Sequence, residues 1–162
     1  MMNKFFILAL VGGGVIVVDQ ITKIYIDTAF LLHESLPMIP DLFSITYVRN
    51  PGAAFGLFAG QSSLFRTLFF SGVSVVALSF LGIMVYQVPK DDHWQTVSLS
   101  LLLGGALGNI IDRVRIGEVI DFLDFYIGTY HWPAFNVADS AITVGVTLLM
   151  LHLYWDKKNN AN

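Results

Sequence analysis

Apolar stretches of helical length, separated by short polar connections, dominate this chain. Residues 5–18 are apolar or Gly throughout. A run of that length fits a signal-peptide core, whereas a helix crossing ~30 Å of hydrocarbon needs about 20 residues. The flank carries no good small-x-small cleavage site, and apolar positions resume after Asp19 with Ile21, Ile24, Tyr25 and Ile26, so residues 4–26 are predicted as a retained span. Within it Asp19 and Lys23 stand four apart on one helix face, where they can pair with each other instead of meeting lipid singly. Residues 67–88 run for 22 positions without a charge, the clearest span of all. A third span is predicted over 94–112 and a fourth over 136–155, each closed by aromatic residues at one or both ends. Gly104, Gly105 and Gly108 give the third a small surface that lets membrane helices approach closely.

Two segments break the helical pattern. Around 41–50, Phe43, Ile45 and Tyr47 alternate with Ser44, Thr46 and Val48, a period near two that predicts a strand, and Pro37, Pro40 and Pro51-Gly52 punctuate it. A β-like segment over about 41–56 is therefore expected. Over about 114–132, Arg115, Glu118, Asp121 and Asp124 mix with Val119, Ile120, Phe122, Leu123, Phe125 and Tyr126, which predicts an interfacial loop or helix. The predicted fold class is thus an α-helical integral membrane protein, a single domain over residues 1–162 with four transmembrane helices.

Composition agrees. Hydrophobic residues make up 55% and charged residues 13% of the 162, against roughly 45–50% and 25% in soluble domains. A net charge of −3 with scattered Lys and Arg gives no basic surface for nucleic acid. Cys is absent, which removes disulfides, thiolate metal sites, a Cys nucleophile and lipid anchoring through sulfur.

An even number of spans puts both termini on one side, so the 27–66 and 112–135 connections share the other. Asp19, Lys23, Asn50, Asn109, Asp112, Arg113, Asn136 and Asp139 then gather near one face. The positive-inside count does not orient the chain, because Lys4, Lys90, Lys157 and Lys158 on one side balance Arg49, Arg66, Arg113 and Arg115 on the other.

The gathered residues carry the candidate chemistry. Asn109, Asp112 and Arg113 share a helix face at spacings of three and four, Asn136 and Asp139 repeat the amide–carboxylate spacing, and Asp121 sits among apolar neighbours. Two carboxylates held close cannot both ionise readily and tend to share a proton. One then takes a proton from water while the other polarises a carbonyl, as in aspartic peptidases. The bland alternative is structural ion pairing. It fits Asp112, with a guanidinium next to it in sequence, better than Asp139. Asp121 is open to both readings, and Asp124 reads as a solvated interface residue. His33, His93, His131 and His152 are far apart with no H-E-x-x-H arrangement, no Ser lies in a G-x-S-x-G turn, and no glycine pattern forms a phosphate loop. No metal and no cofactor is expected. A proton- or ion-coupled transporter is the rival from another class, and it predicts charge at the bilayer midplane, where these spans carry theirs toward one end.

The residues resemble the lipoprotein signal peptidases of bacteria, also called signal peptidase II. Asp19-Gln20-Ile21-Thr22-Lys23 is similar to the family's first motif and Asn50-Pro51-Gly52-Ala53-Ala54-Phe55-Gly56 to its second. Residues 104–113 with Val119-Ile120-Asp121-Phe122 are similar to its third and fourth, and residues 133–139 to its last, while 124–132 match no motif. The resemblance implies a four-helix membrane aspartic endopeptidase of the bacterial cytoplasmic membrane, with cytoplasmic termini and a site at the extracytoplasmic face. Its substrate would be a prolipoprotein whose lipobox Cys already carries diacylglycerol, cut just before that Cys, with membrane lipid around it and no obligate protein partner. By motif, Asp121 and Asp139 correspond to the catalytic dyad, Asn50, Asn109, Arg113 and Asn136 to substrate-binding groups, and Asp19, Lys23 and Asp112 to supporting ones. The extended segment 41–50 is the expected docking edge for the substrate polypeptide.

Overall fold

The computed structural model describes residues 3–52 and 62–159. Among the described residues four helices are long and apolar enough to cross a membrane: α1 (Lys4–Ala29), α2 (Ser63–Gln87), α3 (His93–Ile116) and α4 (Val137–Asn159). Their ends are set by local chemistry. Ser62 and Asp92 cap α2 and α3 by accepting from the Phe65 and Gln95 amides, and α3 stops at Gly117, whose φ of 78° is a left-handed conformation that Gly adopts without steric penalty. At the far end of α2 the buried Lys4 ammonium donates to the carbonyls of Val85, Tyr86 and Val88, satisfying acceptors a helix end leaves open.

α3 is the central helix, and its glycines decide how near its neighbours come. A Cβ on Gly104 would lie 2.7 Å from the Gly12 carbonyl oxygen of α1, and one on Gly105 would lie 2.4 Å from the Ala138 carbonyl oxygen of α4. Backbone therefore meets backbone on both sides of α3. Gly12 closes a π-helical turn, Leu8–Gly12, within α1. Leu99 and Leu102 of α3 pack with Val85 and Val88. Outward positions such as Val76, Phe80 and Met150 are exposed, as lipid-facing side chains should be.

Between the spans lies an antiparallel sheet in the order β1 (Ser35–Ile39), β2 (Phe43–Asn50), β3 (Val119–Ile127), β4 (Tyr130–His131). β2 falls within the β-like segment expected over 41–56, of which residues 53–56 lie outside the described ones. Two features differ from expectation. The 114–132 region, predicted as an interfacial loop or helix, is mostly strand. Ile120 and Phe122 pack with Ile26 and Tyr47 on one face, while Phe125 meets Phe43 and Phe135 on the other. Because both faces are covered by apolar groups, the period-two polar alternation that marks a strand is lost. β1 was not predicted either: its five residues are all exposed and it includes Pro37, a residue an edge strand tolerates. A shift in the β2–β3 register between Ile45 and Val48 brings Val48 opposite Asp121 and Asn50 opposite Val119.

Candidate active site

Lys23 is the pivot of a polar cluster in which it, Asp19 and Asp112 are fully buried. Its ammonium has three protons and meets three acceptors: Asp19 Oδ2 at 2.9 Å, Asp112 Oδ2 at 3.0 Å and Asn109 Oδ1 at 2.9 Å. Buried charges survive when their remaining capacity is filled. Here Asp19 Oδ1 accepts from the Ala138 amide at 2.9 Å, Asp112 Oδ2 from the Ile120 amide at 3.2 Å, and Gln20 Nε2 bonds both carboxylates and the Gly108 carbonyl. The pairing of Asp19 with Lys23 is the one the spacing predicted. Asp112, however, pairs with Lys23 rather than with its neighbour Arg113. Consecutive helical side chains point about 100° apart, so adjacency in sequence does not make an ion pair.

Lys23 also orients the next layer. An ammonium only donates, so the Asn109 side-chain oxygen faces it and the Asn109 amide NH2 is turned outward, where Nδ2 donates to Asp139 Oδ1 at 2.7 Å. Asn136 opens α4 in a reciprocal cap: its Oδ1 accepts from the Asp139 amide at 2.9 Å, and its own backbone N–H donates to Asp139 Oδ2 at 3.3 Å. The same Asn136 sends Nδ2 to Asp121 Oδ1 at 2.7 Å, and Asn50 Nδ2 donates to Asp121 Oδ2 at 3.0 Å. Asp121 and Asp139, from a strand and a helix 18 residues apart in sequence, thus hang on one asparagine.

Both carboxylates line a cavity of about 820 Å³, together with Asn50, Pro51, Trp132, Phe135, Ser140 and Thr143. Asp121 is only 2% exposed. Burial, with the Asp139 charge adding to it, pushes its carboxyl up to about 7, and the bonds from Asn50 and Asn136 pull the other way. The half-buried Arg113 guanidinium has no carboxylate within ion-pair distance among the described residues, although Asp139, Asp121 and Asp112 all act on it electrostatically. Its donors are therefore uncommitted to a protein carboxylate. Among the described residues no group of three or more His, Asp or Glu is placed to hold a metal ion.

All nine residues singled out from the sequence occupy this one end of the molecule. Others were missed. Gln20 joins two of the buried acids. Asp27 accepts from the Tyr47 hydroxyl and pairs with Arg49 at 3.0 Å; its spacing of four from Lys23 was the available signal. Asp124, expected to be solvated, is 7% exposed and bonded to His131 Nδ1 at 2.9 Å. Ser140, directly after Asp139, is a helix-face hydroxyl that donates to the Asn136 carbonyl.

The family model described as signal peptidase (SPase) II matches residues 11–155. A lipoprotein signal peptidase of Syntrophus aciditrophicus is 49% identical over 99% of this chain and 100% of that protein. One of Geobacter sulfurreducens is 53% identical over 91% of each chain. A bacterial membrane enzyme solved by the in meso method at 2.3 Å resolution superposes with a TM-score of 0.85 at 37% identity, covering 98% of this chain and 96% of that one.

Proposed function

The chain belongs to the signal peptidase II family, and from that premise we propose that Asp121 and Asp139 are the dyad of an aspartic endopeptidase that cuts prolipoproteins immediately before the lipidated lipobox Cys. The observation that carries this reading is the joint attachment of both carboxylates to Asn136 at the wall of one cavity. The pair titrates as a unit and holds a single proton near neutral pH, a state favoured by the burial of Asp121 and the charge of Asp139 beside it.

The chemistry then divides between them. The ionised carboxylate takes a proton from a water held between the two, and the water oxygen bonds to the scissile carbonyl carbon as the protonated carboxyl gives its proton to the carbonyl oxygen. The tetrahedral intermediate collapses when the first acid returns its proton to the amide nitrogen, breaking the C–N bond, and the second recovers one from the intermediate's hydroxyl. Asn50, Asn109 and Asn136 keep both carboxylates in place, and Arg113 supplies donors to the substrate. The diacylglyceryl chains lie in lipid beside the spans, the substrate backbone follows β2, and membrane insertion places the termini in the cytoplasm and the site at the outer face of the cytoplasmic membrane.

The test uses purified protein in detergent with lipidated and unlipidated forms of one precursor. Asp121→Asn and Asp139→Asn, each shown to be folded, abolish signal-peptide release, and the parent cuts the lipidated form only. Full activity in either variant rejects the dyad, and equal cleavage of both precursors rejects the lipid requirement.

A further inference from the structure

One face of α1 carries three ionisable side chains at successive spacings of four, Asp19, Lys23 and Asp27, and each grips a different element. Asp19 accepts from the Ala138 amide at 2.9 Å, the residue before Asp139 on α4. Lys23 donates at 2.9 Å to Asn109 of α3, whose amide in turn holds Asp139. Asp27 accepts from the Tyr47 hydroxyl and, at 3.0 Å, from the Arg49 guanidinium, whose Nε donates to that same hydroxyl at 2.8 Å. Arg49 precedes Asn50 on β2, and Asn50 donates to Asp121. Three rungs of one helix therefore reach the three elements from which the two carboxylates are held.

We infer that Asp27 is a positioning residue for the reaction, fixing β2 against α1 so that Asn50 stays on the Asp121 carboxylate. The inference rests on the dyad reading above. The register explains why β2 needs such an anchor. Its pairing with β3 slips between Ile45 and Val48, so the three-residue stretch of ladder that carries Asn50, Val48 to Asn50, is cut off from the pairing of Phe43, Ser44 and Ile45 and is held by few strand contacts of its own. The Asp27–Tyr47–Arg49 cluster stands at that break, and Tyr47 is buried against Ile26, Ile120 and Phe122. Arg49 also ties the strand end to α1, where an exposed arginine on a free strand would be mobile.

A residue that acts this way leaves a signature that lost stability alone does not. Asn50 donates to the ionised form of Asp121, so losing that bond makes ionisation harder. The other groups facing Asp121 stay as they were: Asp139 and Asn136 from the α4 end, Arg113 from α3 and Lys23 from α1. The experiment measures cleavage of the lipidated precursor by Asp27→Asn and Arg49→Lys in detergent, per folded molecule and across the acid to neutral range. The expected result for Asp27→Asn is a fall in kcat of about tenfold, one hydrogen bond's worth of transition-state positioning, with the acid limb of the pH profile moved to higher pH. Arg49→Lys, which keeps the charge opposite Asp27 and loses the bond to the Tyr47 hydroxyl, shows a smaller change in the same direction and answers the question if Asp27→Asn does not fold. An acid limb that stays in place in every folded variant, or a loss accounted for by the unfolded fraction alone, overturns the inference. Asp121→Asn run alongside separates the two readings. If it remains active, the dyad falls; if it is inactive while Asp27→Asn and Arg49→Lys match the parent, only the role of Asp27 falls.

Discussion

Gly108 of α3 is the floor on which Asp19 rests: a Cβ at residue 108 would sit 2.6 Å from Asp19 Oδ2. That carboxylate has no freedom to retreat, since it is bonded to Lys23 and Gln20 through one oxygen and to the Ala138 amide through the other. The close approach of α1, α3 and α4 at this level therefore depends on a missing methyl group as much as on the charges.

Gly108→Ala is expected to destabilise the protein by about 1–3 kcal/mol, the usual penalty for adding volume to a packed site, even though Ala is the better helix former. Thermal unfolding in detergent measures this. The same substitution at Gly82, where an added Cβ meets nothing within 4 Å, is the control and should leave the midpoint unchanged or slightly raised.

Asn136 has two jobs that a substitution can separate. Its side-chain oxygen caps α4 through the Asp139 amide, and its Nδ2 holds Asp121. Asn136→Ala should lose about 1 kcal/mol of stability with the cap and about tenfold or more in kcat with the bond to Asp121. Asn136→Ser restores a capping hydroxyl but is too short to reach Asp121, so its unfolding midpoint should return toward the parent while its activity stays as low as that of the Ala variant. Recovery of both together would show that the cap alone matters.

The displaced titration of Asp121 predicts a pH-dependent stability. Its carboxyl rises from the ordinary value of 3.8 to about 7 on folding, so the folded state binds the proton more tightly than the unfolded chain does. The stability this group contributes is complete below about 4 and is lost as the pH climbs through about 7. The unfolding midpoint of the parent should therefore fall over that interval, and Asp121→Asn, with nothing to titrate there, should show a flatter dependence. Equal slopes for the two proteins would mean that Asp121 titrates like an exposed carboxylate.

The chain's own pattern determined the four spans, because uninterrupted apolar stretches of helical length have few alternatives in lipid, where every backbone group must be bonded within the segment. It also determined that Asp19 would meet Lys23, since spacing on one helix is a local property, and the ordered motifs pointed to the family. The strand character of β3 was not legible in the same way. Its polar positions, Asp121 and Asp124, are buried with partners distant in sequence, Asn50 and Thr46 of β2, which erases the alternation that exposure would have left. Only the tertiary structure decided that Asp112 answers Lys23 instead of Arg113, that one asparagine serves both candidate catalytic acids, and that Asp27 anchors the strand carrying Asn50. Apart from the local Asn136–Asp139 cap, those contacts join residues between 15 and 89 positions apart, and the meeting of Lys23 with Asp112 depends on the glycine-to-backbone approaches of α3 with α1 and α4, a property of three helices together that no single stretch of residues contains.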